Sequence, residues 1–142
     1  MKSFLLFGLC LLSLFIFFYP ARRSSAVAPA DAAQIKHGEY IVLGVAMCAE
    51  CHTPYDEKGS LIEDRLLQGA SLTFKPTVPI PNWADYAPPL VGLPGLTDAQ
   101  AITFLTTGKY PSGESAKPPM PGFRMNREDA AAVVAYLRSL KH

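Results

Sequence analysis

The sequence predicts an all-α domain with long irregular connections, and three observations lead to this fold class. Three segments combine helix-capping residues with apolar residues at helical spacing. Alternating apolar and polar runs of the kind that form strands are nearly absent. The 142 residues also include 13 prolines and 10 glycines, which favour turns and loops over regular structure.

The predicted helices are taken in chain order. Asp31, with Gln34 three residues later, resembles a capping box and predicts a first helix over 32–47. Residues 53–96 are rich in turn formers and predict loop, with a short helix or strand near 61–67. Thr97 and Gln100 form a second capping box, for a helix of about ten residues that Gly108 closes. Asn126 caps the last helix.

The N-terminus consists of an almost unbroken apolar run, residues 4–19, which begins after Lys2 and is followed by Pro20 and two arginines. We expect residues 1–26 to be a signal peptide, cleaved after Ser24-Ser25-Ala26, or an uncleaved N-terminal membrane anchor. The flanking sequence of Cys10 is a poor match to a lipidation site. Residues 27–142 then form one domain, with 10 basic and 12 acidic side chains. This balance disfavours nucleic-acid binding.

Cys48-Ala49-Glu50-Cys51-His52 is the attachment pattern of a c-type haem. Two thiols separated by two residues reach both vinyl groups from one turn, and the adjacent histidine binds the iron. Two alternatives are a redox dithiol, which calls for a surrounding parallel sheet, and half of a zinc site, which calls for a further ligand pair. The predicted helical surroundings and the isolated positions of His37 and His142 disfavour both alternatives.

The domain resembles bacterial class I monohaem cytochromes c. The resemblance depends on Gly38-Glu39-Tyr40, the haem motif, the Pro-Met-Pro segment at Met120 and the closing Ala-Tyr-Leu-Arg-Ser-Leu helix, and it covers residues 33 to 141. It implies a small cytochrome c fold in which the N- and C-terminal helices cross, with Pro- and Gly-rich loops around one haem. Gly38 would permit close approach of these helices and Tyr136 would pack between them, although ordinary helix packing is the preferred explanation for both residues.

Such a haem has a second iron ligand, for which methionine sulfur is suited. Met120 lies among three prolines that restrict its backbone and matches the distal ligand of the family. Met125 is expected to be a packing contact instead, and His37 and His142 are the weaker candidates. Metal ligation is thus assigned to His52 and Met120, and haem attachment to Cys48 and Cys51.

The resemblance implies a single-electron carrier with one covalent haem c and its iron, and not an enzyme in its own right. It would be periplasmic or at the periplasmic face of the inner membrane, where it would meet membrane or periplasmic redox proteins. One alternative is a subunit of a respiratory or dehydrogenase complex, anchored through residues 4–19; another is a haem-based sensor. Trp83 and Arg65 are candidate propionate contacts, and Lys75, Lys109 and Lys117 are candidate docking charges.

Overall fold

The computed structural model describes residues 30–140. Four α-helices are α1 (Ala32–Tyr40), α2 (Ala49–His52), α3 (Asp98–Thr107) and α4 (Arg127–Ser139). Two further helical turns are the π-helical turn Ile41–Val45 and the 3₁₀ turn Glu63–Arg65. Two short strands, β1 (Ala70–Ser71) and β2 (Tyr86–Ala87), complete the elements of this part of the chain. The predicted helical character of the domain is confirmed.

The first helix changes its geometry halfway along. Asp31 caps α1 by accepting a hydrogen bond from the Gln34 backbone N–H at 2.7 Å, which is one half of the predicted capping box. The helix was predicted to run as one piece over 32–47, but the α-helical hydrogen bonds stop at Tyr40 and the chain continues as the π-helical turn. Met47 then adopts a left-handed conformation, with φ of 48°, and this ends the helical run before α2.

The connection between α2 and α3 contains more pairing than the sequence predicts. β1 and β2 pair antiparallel, with Ala70 opposite Ala87 and Ser71 opposite Tyr86. Gly69 precedes β1 at φ of +85°, and a Cβ there would come within 2.5 Å of the Tyr86 hydroxyl, so glycine is required. The pairing closes residues 72–85 into a loop, which brings the segment after Ala87 back towards α2.

The last two helices begin as predicted, and α3 also ends as predicted. Thr97 and Gln100 form a reciprocal capping box at α3, with hydrogen bonds of 3.3 and 2.9 Å. Gly108 ends α3 in the left-handed conformation, with φ of 72°. Asn126 caps α4 by accepting from the Asp129 backbone N–H at 2.8 Å. These helix limits were predictable because capping depends on neighbouring residues.

The hydrophobic core lies where α4 packs against α1 and α3. Gly38 is buried on the side of α1 that faces α4, and Tyr136 is buried in the same cluster. His37 and Asp129 join the two helices at the surface, at 2.8 Å. The buried residues of the core are Ile41, Val42, Ala49, Leu67, Val91, Leu93, Ala101, Ile102, Ala130, Val133, Val134, Tyr136 and Leu137.

Several sequence expectations concern residues outside the described range 30–140. They are the signal peptide or anchor over 1–26, its apolar run 4–19, Cys10 and the candidate ligand His142. Between residues 30 and 140, no helix combines the length and the apolar character that crossing a bilayer demands.

Candidate haem site

The two cysteines of the attachment motif lie at the start of α2 and within it. Cys48 is its N-terminal cap and Cys51 its third residue, and both side chains are half-buried and outside any disulfide. The Cys48 backbone N–H donates to the Val42 carbonyl at 2.8 Å, so the π-helical turn fixes where the first cysteine stands. The described residues thus hold both thiols on one short helix.

The protonation of Cys48 argues against the dithiol alternative. Burial, more than the neighbouring Cys51, raises the pKa of the Cys48 thiol to about 11. A redox-active dithiol has a lowered thiol pKa, because the thiolate is the attacking species. Residues 30–140 contain no group of three or more His, Cys, Asp or Glu side chains placed to hold a metal ion.

His52 is held in the orientation that an iron ligand needs. Its side chain is buried, and Nδ1 lies 2.6 Å from the carbonyl oxygen of Pro88. A carbonyl oxygen can only accept a hydrogen bond, so Nδ1 carries the proton and Nε2 keeps its lone pair. Burial lowers the pKa of His52, although the hydrogen bond to Pro88 opposes this shift. The imidazole is therefore neutral, with Nε2 ready to donate electrons to a metal.

The chain around His52 is held in place by hydrogen bonds to neighbouring segments. The His52 carbonyl accepts from Gly69 N–H at 2.8 Å, and fully buried Thr53 accepts from Leu67 N–H through Oγ1 at 2.9 Å. Leu67 in turn accepts from Leu90 N–H at 2.8 Å, two residues beyond Pro88. These bonds connect α2 to the segment that supplies the Pro88 carbonyl, so the ligand and its hydrogen-bond partner are positioned together.

Glu50, within the motif, and Tyr55, just after it, are both exposed to solvent. The Tyr55 hydroxyl donates to Glu50 Oε2 at 2.6 Å, and this bond raises the pKa of Tyr55 to about 12. A cavity of about 310 Å³ opens beside Cys51, with Leu72 and Phe74 among the residues that line it. The apolar side chains beside Cys51 suit a flat hydrophobic cofactor.

Trp83 provides an independent test of whether a haem fits. Its indole Nε1 is buried and has no hydrogen-bond partner among the described residues, which is a costly arrangement for a donor. The ring stands edge-on to Phe74, with centroids 5.9 Å apart. An acceptor that the polypeptide does not supply, such as a haem propionate, would satisfy this donor. The residues present therefore fit a haem.

The segment with the candidate distal ligand lies between α3 and α4. Met120 is half-buried, and its backbone N–H donates to the Lys117 carbonyl at 3.1 Å. Pro118 accepts a hydrogen bond from Ala84 N–H at 2.7 Å, so this segment contacts the loop that carries Trp83. Met125 instead packs against the hydrophobic core, as the sequence predicts.

Among the remaining candidates, His37 and Lys75 have protein partners and Arg65 has none in the described part of the chain. His37 bonds Asp129 on α4, and Lys75 pairs with Asp85. Arg65 is exposed, and within the described residues its side chain makes no hydrogen bond or ion pair. Two arginines that the sequence analysis did not single out bind backbone carbonyls: Arg138 those of the 92–96 turn, and Arg124 those of Gly122 and Phe123. The Arg138 contacts join residues 42 to 46 positions apart and so leave no local sequence pattern.

A small helical fold, with paired cysteines followed by a preoriented histidine, defines a protein that carries covalently bound haem c and transfers electrons through it. Comparison with known proteins agrees. The family model described as cytochrome c matches residues 36–141, and the chain belongs to the cytochrome c family. Its cofactor is therefore covalently bound haem c with its iron.

Two relatives are cytochrome c subunits of alcohol dehydrogenase (quinone), from Gluconacetobacter polyoxogenes and Komagataeibacter europaeus. Each is 31% identical to this chain over 99 residues. The match covers 65% of this chain and 20% of each relative, so the chain spans about a fifth of the length of the relatives it matches.

Proposed function

We propose that the protein is a single-electron carrier in which Cys48 and Cys51 hold the haem by thioethers while His52 and Met120 are the axial iron ligands. The bound haem supplies reversible one-electron chemistry, and the polypeptide sets its ligands, burial and hydrogen bonds. The observation that carries this proposal is the buried, neutral His52, whose Nδ1–H donates to Pro88 at 2.6 Å directly after the attachment motif.

The role of Pro88 is to fix both the tautomer and the rotation of the proximal imidazole. A backbone carbonyl on Nδ1 also increases the electron density at Nε2, which strengthens its bond to iron. Because the Pro88 segment is tied through Leu90 and Leu67 to Thr53, the ring cannot turn without disturbing buried hydrogen bonds. This rigidity suits electron transfer, where a ligand should move little between the two oxidation states.

Three observations support Met120 as the distal ligand. It is half-buried but, unlike Met125, is not among the residues that pack against the core cluster. Its segment is bonded to the Trp83 loop through Pro118 and Ala84, so a thioether and an unsatisfied indole N–H come from adjoining segments. His37, the competing ligand among the described residues, already bonds Asp129.

Trp83 is proposed to donate its Nε1–H to a haem propionate. The donor is buried and lacks a protein acceptor in the described part of the chain, and a carboxylate makes a strong charge-assisted partner. Arg65 is the weaker candidate for this role because its side chain is exposed. Together with the apolar lining beside Cys51, this donor would orient the haem in its pocket.

The ligand assignment is tested by carbon monoxide binding to the reduced haem protein. With His52 and Met120 both bound, wild-type protein is expected to resist carbon monoxide at neutral pH. Met120→Ala should bind it readily and lose the methionine-to-iron charge-transfer band of the oxidised protein. Met125→Ala is the matched control and should behave like wild type. Rapid binding by wild type would instead favour a haem-based sensor.

A second candidate role is that of a subunit in a membrane-bound dehydrogenase or respiratory complex. The observation that favours it is the similarity to cytochrome c subunits of alcohol dehydrogenase (quinone). The domain would then exchange electrons with redox proteins of such a complex, either anchored through residues 4–19 or docked after cleavage of residues 1–26. Both forms require export, and we propose a periplasmic location.

The intact mass of the protein, expressed with a c-type haem maturation system, distinguishes these forms. A mass of residues 27–142 plus one haem would support a cleaved, periplasmic carrier. A mass of the full chain plus one haem would support the anchored relay. If Cys48 and Cys51 carried no haem, the proposed function would be wrong.

A further inference from the structure

The side chain of Arg124 folds back onto the segment that follows Met120. Its Nη1 donates to the carbonyl oxygens of Gly122, at 3.1 Å, and of Phe123, at 2.7 Å. Hydrogen bonds from a charged donor are stronger than those between neutral groups. One exposed guanidinium thus contacts two consecutive peptide groups of the segment.

The same guanidinium fills the space beside Gly108, the glycine that ends α3. A Cβ on Gly108 would lie 2.4 Å from Arg124 Nη1 and 3.2 Å from the Cα of Gly122. Gly108 is buried, and its φ of +72° lies in the left-handed region. The absence of a side chain at this position is therefore what lets Arg124 lie between α3 and the Met120 segment.

The segment is held at both ends. On the C-terminal side, Met125 N–H donates to the Leu105 carbonyl in α3 at 3.1 Å, beside the contact between Gly108 and Arg124. On the N-terminal side, Ala84 N–H donates to the Pro118 carbonyl at 2.7 Å. Met120 lies between these two attachments, so each of them limits how far its side chain can move from the position it takes on binding iron.

We propose that Arg124, seated against Gly108, is a positioning residue for the distal iron ligand. This inference rests on the proposed function, in which Met120 is that ligand. Without Arg124, the segment after Met120 loses two charge-assisted bonds and the contact of this side chain with α3, and the thioether spends more time away from the iron. An external ligand binds in proportion to the fraction of protein in this open state, so its apparent affinity reports the positioning.

The test is titration of the oxidised haem protein with imidazole, followed by the methionine-to-iron charge-transfer band. Arg124→Ala is expected to lower the apparent Kd for imidazole about tenfold, which corresponds to ~1.4 kcal/mol. Gly108→Ala should act in the same direction because its methyl group displaces the guanidinium. Arg124→Lys should fall between Arg124→Ala and wild type, since it keeps the charge but lacks the Nη1 group that donates to both carbonyls.

The matched control is Arg138→Ala, which removes an arginine that also binds backbone carbonyls, but in the turn before α3. It should lower the free energy of unfolding and leave the Kd for imidazole unchanged. An equal gain in imidazole affinity in Arg138→Ala and Arg124→Ala would show a global effect and overturn the positioning role. Arg127→Ala, at an exposed position near Arg124, controls for the lost charge.

Met120→Ala separates the failure of this inference from the failure of the proposed function. Because Met120→Ala lacks the methionine-to-iron charge-transfer band, its titration is followed by the main haem absorption band. If it binds imidazole more tightly than wild type while Arg124→Ala and Gly108→Ala do not, Met120 is the ligand and Arg124 does not position it. If Met120→Ala binds imidazole as wild type does, Met120 is not the ligand, and the proposed function and this inference are both wrong.

Discussion

Gly38 of α1 lies directly against the carbonyl oxygen of Ala132 in α4, because a Cβ on Gly38 would stand only 1.9 Å from that oxygen and 2.9 Å from the Cβ of Tyr136. Rotation of a side chain cannot relieve this clash, because the nearest atoms are the backbone of Ala132 and the Cβ of Tyr136. Gly38→Ala is therefore expected to separate the helices and lower the free energy of unfolding by about 3 kcal/mol, measured by guanidinium denaturation of the haem protein.

Gly44→Ala is the matched control for this prediction. A Cβ at Gly44 would come no closer than 3.5 Å to the ring of Tyr40, an ordinary contact. Alanine also restricts the unfolded chain more than glycine, so the variant should be neutral or more stable by up to about 1 kcal/mol. Equal losses at both positions would contradict the close-contact explanation.

Thr53→Val is expected to destabilise the segment next to the haem-binding histidine. The Thr53 side chain is fully buried, and its Oγ1 accepts the Leu67 N–H at 2.9 Å. Valine has nearly the same shape but leaves that N–H buried without a partner, which costs about 1–3 kcal/mol. Urea denaturation measures the loss. Thr53→Ser retains the hydroxyl and should recover most of the stability, unless packing of the methyl group matters more than the bond.

Arg138→Ala should loosen the junction between α3 and α4. Arg138 Nε pairs with Asp98 at 2.8 Å, and Nη2 donates to the Leu96 carbonyl at 2.5 Å; Nη1 donates to Gly92. Charge-assisted bonds to backbone lead us to expect a loss of about 2–3 kcal/mol in unfolding free energy. Asp98→Asn should lose less, because it removes only the partly exposed ion pair. A larger loss in Asp98→Asn would contradict this order.

Trp83→Phe removes the unsatisfied indole donor while keeping an aromatic ring beside Phe74. If the donor binds a propionate, the variant leaves that negative charge uncompensated, and the charge favours oxidised iron. The reduction potential, measured by redox titration, should fall. Phe74→Leu, which removes the ring contact and leaves the donor, should change the potential less. An unchanged potential in Trp83→Phe would contradict the propionate contact.

The elements that could be predicted from the sequence are those with local causes. Thr97 with Gln100 and Asn126 with Asp129 bond within a single helical turn, so a few neighbouring residues determine where α3 and α4 begin. Gly108 ends α3 for an equally local reason, its left-handed φ. The attachment motif is local as well, since its two thiols and its histidine lie within five residues.

The rest depends on residues far apart in the chain. His52 lies 36 positions from Pro88, whose carbonyl fixes its tautomer, and Arg138 lies 40 positions from Asp98. The neighbouring residues do not specify such partners, because every residue of the chain carries the same backbone carbonyl. The pairing of β1 with β2 was not predicted either, because strands of two residues are too short to show a periodic pattern.

The π-helical turn divides the first helical run into two parts that differ in their rotation about the helix axis. Ala46 N–H bonds the Ile41 carbonyl five residues back, and Cys48 N–H bonds the Val42 carbonyl six residues back, where an α-helix would use four. Each added residue rotates the following chain by about 100° about the helix axis. The face that Gly38 presents to α4 and the direction in which Cys48 points are therefore set separately. Deleting a single residue between them would leave both ends of the run intact in sequence, yet rotate the attachment motif by about 100° relative to the face that packs on α4.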